Sequence, residues 1–229
     1  MRSVAEVMRS VNFHRHDLFR VDASHWQTLA AMQGEGTRAF WLSEWWARDW
    51  PVIVRRDDGE SSPDRVAVGM PLPPSCGKLR IALHVPLVGV SERLSPVLLA
   101  ECRRAAPPRW GTVLDQLEAL GNATAIAPGV CGSLLWQHLT GLAYLHDASD
   151  IDVLWQVTSL AQARAIAGAL PNIERRTGIR IDGEILSARG WGVHWREFGS
   201  QAPGMLVKTR NSVQLCSRAD VFEHLDAAA

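Results

Sequence analysis

In the stretch DIDVLWQV (150–157), Ile151, Val153, Trp155 and Val157 alternate with polar positions that begin Asp150 and Asp152. That is the period-2 pattern of a strand with one buried face. The same period recurs in KLRIALHV (78–85), where Leu79, Ile81, Leu83 and Val85 alternate with Lys78, Arg80, Ala82 and His84. It recurs again in GIRIDGEIL (178–186), where Arg180, Asp182, Glu184 and Leu186 share one face and Ile179, Ile181 and Ile185 the other. Shorter extended segments are predicted at 16–21, 52–55, 66–70, 192–198, 204–209 and 212–216, with a polar hairpin tip at 55–65 and frayed residues over 1–15. Helical spacing covers 25–47 with a break at GEG (34–36), then 95–105, and then TVLDQLEAL (112–120), which Gly121 and Asn122 stop. After Gly132 and Ser133 it returns in Leu134, Leu135, Gln137, His138, Leu139 and Leu142. A further helix, 159–170, is capped by Ser159 and stopped by Pro171, and a closing helix covers 218–226.

The proline-rich PLPPSCG (71–77) is irregular, and AAPPRWG (105–111) is the best linker, so the expected domains are 1–108 and 109–229. The order β–α–β followed by a β meander predicts an α+β fold, with a small N-terminal α/β domain before a mostly antiparallel sheet carrying helices on one face.

Composition narrows the function classes. The 229 residues carry 24 Lys+Arg against 24 Asp+Glu, so no global field draws the chain to nucleic acid or to an acidic membrane. No run of about 18 apolar residues appears, and the N-terminus lacks the apolar core of a secretory signal. Cys76, Cys102, Cys131 and Cys216 show no CxxC spacing, which suits a reducing cytoplasm better than a disulfide framework. Ten tryptophans stand against one tyrosine, with Trp26, Trp41, Trp45, Trp46 and Trp50 close together. They read either as a small aromatic core or as a stacking platform.

Three pieces of the second half carry candidate chemistry. Gly132 and Ser133 open a helix whose N–H groups suit a phosphate oxygen, although such a pair also serves as an ordinary cap. Asp150 and Asp152 project from one strand face, where two like charges repel. Either a cation such as Mg²⁺ lies between them or the strand end is solvated. Asp182 and Glu184 would add a third carboxylate if their strand neighbours 150–157, while DGE also reads as a hairpin turn. Lys208 is a candidate point charge for phosphate or a solvated lysine. A metal hydrolase using His138, His146 and Asp147 fits no common ligand spacing.

The order G-S, helix, D-x-D strand, carboxylate strand resembles the nucleotidyltransferase fold of the DNA polymerase β superfamily. More narrowly, GSLLWQHLTGLAYLHDASDIDVL, together with HDLFRV, PVIVRR, VAVGM, RIDGEI, VHWREF and LVKT in that order, is similar to the phosphoribosyl-dephospho-CoA transferases that serve malonate decarboxylase as holo-acyl-carrier-protein synthases. The resemblance implies transfer of phosphoribosyl-dephospho-CoA from triphosphoribosyl-dephospho-CoA to a serine of the acyl-carrier subunit, with loss of pyrophosphate. It implies Mg²⁺ on Asp150, Asp152 and Asp182, with Glu184 the alternative to Asp182, and phosphate held by Gly132, Ser133 and Lys208. PLPPSCGK replaces the family's basic stretch, so Lys78 and Arg80 become the substrate-gripping candidates of the first domain. No nucleic-acid or membrane partner is expected. The alternatives are a nucleotidyltransferase acting on a small molecule and a non-catalytic Trp-rich interaction module.

Overall fold

The computed structural model describes residues 12–31, 35–57, 59, 62–77 and 79–226. Most of the frayed segment expected over 1–15, parts of the 34–36 break and the 55–65 tip, and Lys78 lie outside the described residues. The chain divides into two compact units, 1–95 with 210–212 and 96–209 with 213–229.

The first unit runs β1 (Leu18–Val21), α1 (Ala23–Ala31), α2 (Thr37–Ala47), β2 (Val52–Val54), β3 (Arg65–Pro71), β4 (Arg80–Pro86) and β5 (Val90–Arg93). Its sheet has the order β4-β3-β2-β1-β5 and is antiparallel throughout. The tryptophans are mainly a core. Trp26, Trp45 and Trp50 are buried, Trp45 and Trp50 meet edge to face, and the Trp45 indole N–H donates to the Pro51 carbonyl at 2.8 Å. Arg80 is exposed at the start of β4, opposite Pro71.

The second unit begins earlier than the proline-rich linker suggested, at Pro96. Leu99, Cys102 and Trp110 are buried, and backbone bonds from Val130 to Val97 and from Leu99 to Pro128 tie the segment down. Of the helix expected over 95–105, only a 3₁₀ turn at Glu101–Arg104 forms. There follow α3 (Gly111–Thr124), β6 (Gly129–Val130), α4 (Gly132–Thr140), β7 (Ile151–Val157), α5 (Leu160–Thr177), β8 (Ile181–Ser187), β9 (Gly192–His194), α6 (Trp195–Gly199), β10 (Gly204–Lys208), β11 (Val213–Ser217) and α7 (Arg218–Asp226). The sheet order is β11-β10-β9-β8-β7-β6, with β7 and β8 the parallel pair. The architecture is α+β.

One face of this sheet is apolar and covered. Ile151, Val153, Trp155 and Val157 of β7, Ile181 and Ile185 of β8, Val193 of β9, and Met205 and Val207 of β10 are all buried. The helix α5 packs against β7 and β8, presenting Leu160, Ala163, Ile166, Ala167, Leu170 and Ile173 at helical spacing. Ser159 caps it by accepting the Gln162 N–H. Pro171 does not stop α5, which continues to Thr177 and ends at Gly178 in the left-handed conformation. The hydrogen bond that proline forfeits is worth less than burying Leu170 and Ile173 on one face.

The expected strand 192–198 is also corrected. After His194 the chain turns into the short helix α6, which buries Trp195 and Phe198 three residues apart. No helix among the described residues is long and apolar enough to cross a membrane, and none of the cysteines forms a disulfide.

Candidate active site

Burial of the apolar face sends the alternate side chains of β7 and β8 to the other side of the sheet. Asp150 and Asp152 therefore share that side, half-buried, while their neighbours Ile151 and Val153 are fully covered. The Asp150 carboxylate lies 3.6 Å from the Arg180 guanidinium. Asp152 sits against the start of α4. Its backbone carbonyl accepts the Cys131 N–H at 3.1 Å, and a Cβ on Gly132 would fall inside its carboxylate. Gly132 also has a φ of 64°, so this corner needs glycine for space and for conformation. No side-chain hydrogen bond caps α4 from its N-cap Cys131, and Ser133 stands in the helix's first turn.

The parallel register sets Asp152 beside Asp182 and Leu154 beside Glu184. DGE is therefore mid-strand, not a hairpin turn. Gly183, at φ 138°, lies so close to the Val153 carbonyl that any side chain there would separate the two strands. Both expected neighbours of Asp152 are thus delivered to its side, but into different surroundings. Asp182 Oδ1 accepts the Gly183 N–H at 2.7 Å and the His194 Nε2–H at 2.6 Å. Glu184 is only 7 % exposed and accepts from Lys208 Nζ at 2.9 Å. Lys208 of β10 pairs in register with Gly192 of β9. Burial against a paired ammonium makes Glu184 the charge partner of Lys208, while Asp182 is the register neighbour of Asp152.

Two contributors escaped the sequence pattern. His194 caps α6, its Nδ1 accepting the Arg196 N–H at 3.1 Å. That assigns the ring proton to Nε2, facing Asp182. Arg109 pins the loop ahead of Asp150, donating to the Asp147 carboxylate and carbonyl, both at 2.8 Å, and to the His146 carbonyl at 3.3 Å. This engages Asp147 structurally, and His146 Nδ1 accepts the Ala148 N–H, so the loop serves to present Asp150. His138 instead lines an open cleft of about 740 Å³ with Arg103, Arg104 and Gln137. Each outcome removes a ligand from the His138, His146, Asp147 reading.

Around α6 the electrostatics are settled by one pair. Burial works to raise the Glu174 pKa, but hydrogen bonds from Arg196 and the Ile181 N–H, with the arginine's charge, hold it below the ordinary carboxylate value. Arg196 in turn reaches the Ile181 carbonyl at 3.1 Å and lies over the Trp195 ring.

The donor set facing Asp152 consists of hard oxygens. Among the described residues no three His, Cys, Asp or Glu side chains stand close enough to hold a metal ion by themselves. Mg²⁺ commonly takes one or two carboxylates and completes its shell with water and substrate phosphate. Asp150 and Asp152 fit that requirement, and Asp182 is the register neighbour of Asp152 on the adjacent strand.

Comparison with known proteins identifies the family. Residues 14–96 match the phosphoribosyl-dephospho-CoA transferase MdcG N-terminal domain, and residues 98–219 its C-terminal domain. A phosphoribosyl-dephospho-CoA transferase of Xanthomonas euvesicatoria is 39% identical over 187 residues, 82% of this chain and 88% of that protein. One from Xanthomonas axonopodis is 38% identical over 93% of this chain and 99% of its own, and one from Bradyrhizobium diazoefficiens 37% over 89% and 90%. No solved structure matches the chain significantly. With both domain descriptions in order along one chain, and relatives of this identity over most of it, the chain belongs to the phosphoribosyl-dephospho-CoA transferase family, and is a transferase.

Proposed function

We propose that this transferase moves the phosphoribosyl-dephospho-CoA group from triphosphoribosyl-dephospho-CoA to a serine of the acyl-carrier subunit of malonate decarboxylase. The serine Oγ forms a bond to the α-phosphorus, the bond from that phosphorus to the bridging oxygen breaks, and pyrophosphate leaves. The observation that carries the reading is the contact of Asp152 with Gly132, which joins a metal-type strand to a phosphate-type helix start.

Asp150 and Asp152 would hold Mg²⁺, which when bound supplies positive charge to the triphosphate and its leaving oxygen. A second metal would take Asp182 as its protein ligand. The residues of the chain do the rest. N–H groups in the first turn of α4, with the Ser133 hydroxyl, donate hydrogen bonds to the pyrophosphate oxygens at the positive helix end. Asp182, through Oδ2, orients the incoming serine hydroxyl, whose proton leaves to water as the phosphorus bond forms.

The test is pyrophosphate release with purified carrier protein and the triphosphoribosyl precursor, with and without Mg²⁺. Release should require Mg²⁺ and should fall at least about 10³-fold in Asp150→Asn and in Asp152→Asn, with folding intact. More than about a tenth of wild-type turnover in either variant would remove that carboxylate from the metal site.

A further inference from the structure

We infer that His194 is a positioning residue for the transfer, acting through Asp182. The inference rests on the reading of Asp182 as the carboxylate that meets the incoming hydroxyl and the metal.

The geometry is a relay of fixed directions. Glu174 on α5 receives both terminal nitrogens of Arg196, one of them at 2.8 Å. Arg196 also binds the Ile181 carbonyl, at the residue before Asp182. Its backbone N–H points into His194 Nδ1, which leaves the imidazole one neutral tautomer, with the proton on Nε2. That proton goes to Asp182 Oδ1 at 2.6 Å, and the same oxygen takes the Gly183 N–H. Oδ1 is thereby committed twice, and the carboxylate plane is set from two directions. Oδ2 is the oxygen left for chemistry. A carboxylate held in this way presents one oxygen in one orientation, where a free rotor would sample many. Hydrogen-bond partners that orient a metal-type ligand typically alter activity or metal affinity about 10- to 100-fold when removed.

His194 touches no reacting atom in this scheme, so its effect should fall on turnover and not on substrate affinity. His194→Ala should lower kcat about 10- to 100-fold with KM for the triphosphoribosyl precursor within about twofold. His194→Gln, whose amide nitrogen reaches nearly as far as Nε2, should recover most of that loss. Asp182→Asn serves as the control for the underlying reading and should fall further than either. Two readouts stand apart from turnover. Nitrogen-15 NMR of the imidazoles should show His194 as the Nε2–H tautomer, and Mg²⁺ should raise the melting temperature less in His194→Ala than in the wild type.

If Asp182→Asn transfers normally, the reading of Asp182 fails and the inference goes with it. If Asp182→Asn is inactive while His194→Ala matches the wild type in kcat and Mg²⁺ response, only the inference is overturned. The Nδ1–H tautomer overturns it as well. Equal losses in the alanine and glutamine variants would also do so, because the hydrogen bond would not be the cause.

Discussion

Gly132 and Asp152 stand so close that a methyl group on the glycine would occupy the aspartate's carboxylate. They lie on different elements, one opening α4 and the other inside β7. Their contact is where the two halves of the proposed site meet. Gly132→Ala should therefore do two things at once. The left-handed backbone costs an alanine about 1–2 kcal/mol. Displacing Asp152 by about an ångström should slow transfer about 100-fold. Melting and turnover measured together check this, and an alanine variant with wild-type turnover would show that the placement of Asp152 does not matter.

If the carboxylates form the proposed metal site, their like charges should strain the fold without metal, though Arg180 beside Asp150 and His194 beside Asp182 would relieve part of it. Asp152→Asn should melt above the wild type in EDTA and gain little from added Mg²⁺. The wild type should gain about 2.7 kcal/mol at a hundred times the dissociation constant. Two melting curves per protein decide it. Identical Mg²⁺ responses would mean a solvated strand end.

The Lys208–Glu184 pair makes a separate prediction, about stability. Lys208→Ala leaves a buried carboxylate without its ammonium and should cost about 1–3 kcal/mol. The figure is below that of a fully buried pair because the lysine keeps 32% of its side-chain surface exposed. Adding Glu184→Gln should restore much of the loss. Urea unfolding of the three variants gives the coupling, and strict additivity would deny that the pair interacts.

His224 on α7 stacks on Trp191 and shares a hydrogen bond with Ser187 Oγ at 3.0 Å. Burial, aided by the charge of Arg189, lowers its pKa below the ordinary 6.5. The fold thus favours the neutral ring. Its stabilisation is complete above about pH 6.5 and is lost as pH falls from there through the folded pKa. Melting temperature should decline over that interval, and His224→Phe should flatten the decline. An unchanged slope in the variant would assign the effect to other groups.

How much of this was legible beforehand depended on whether a pattern had one physical meaning. The alternation in 150–157 and 178–186 predicted which side chains are covered, because a sheet buried on one face tolerates no other phase. It did not predict the partners of the polar face. Asp182 and Glu184 look equivalent along the chain and are separated by their side-chain partners, His194 of β9 for one and Lys208 of β10 for the other. VHWREF alternates well enough to pass for a strand, while its Trp195 and Phe198 are equally well spaced for a helical turn. Proline marked two boundaries wrongly for one reason. At Pro171 and in 105–111, buried neighbours such as Ile173 and Trp110 outweigh the local preference to break. Arg109 gave no local signal, since its loop partners are distant in sequence.

The parallel pairing of β7 and β8 also governs what kinds of change the enzyme can absorb. Asp152 and Asp182 are neighbours only because the intervening chain, α5 included, returns the second strand in one register. A shift of β8 by a single residue in its register with β7 would send Asp182 and Glu184 towards the helices and bring Ile181 and Ile185 out among the acids. A single-residue insertion in the turn between β8 and β9 could be taken up as slack. Length, as well as side-chain identity, is what these two strands cannot vary. Drift in this fold should therefore gather at the strand ends, while the spacing inside β7 and β8 stays constant.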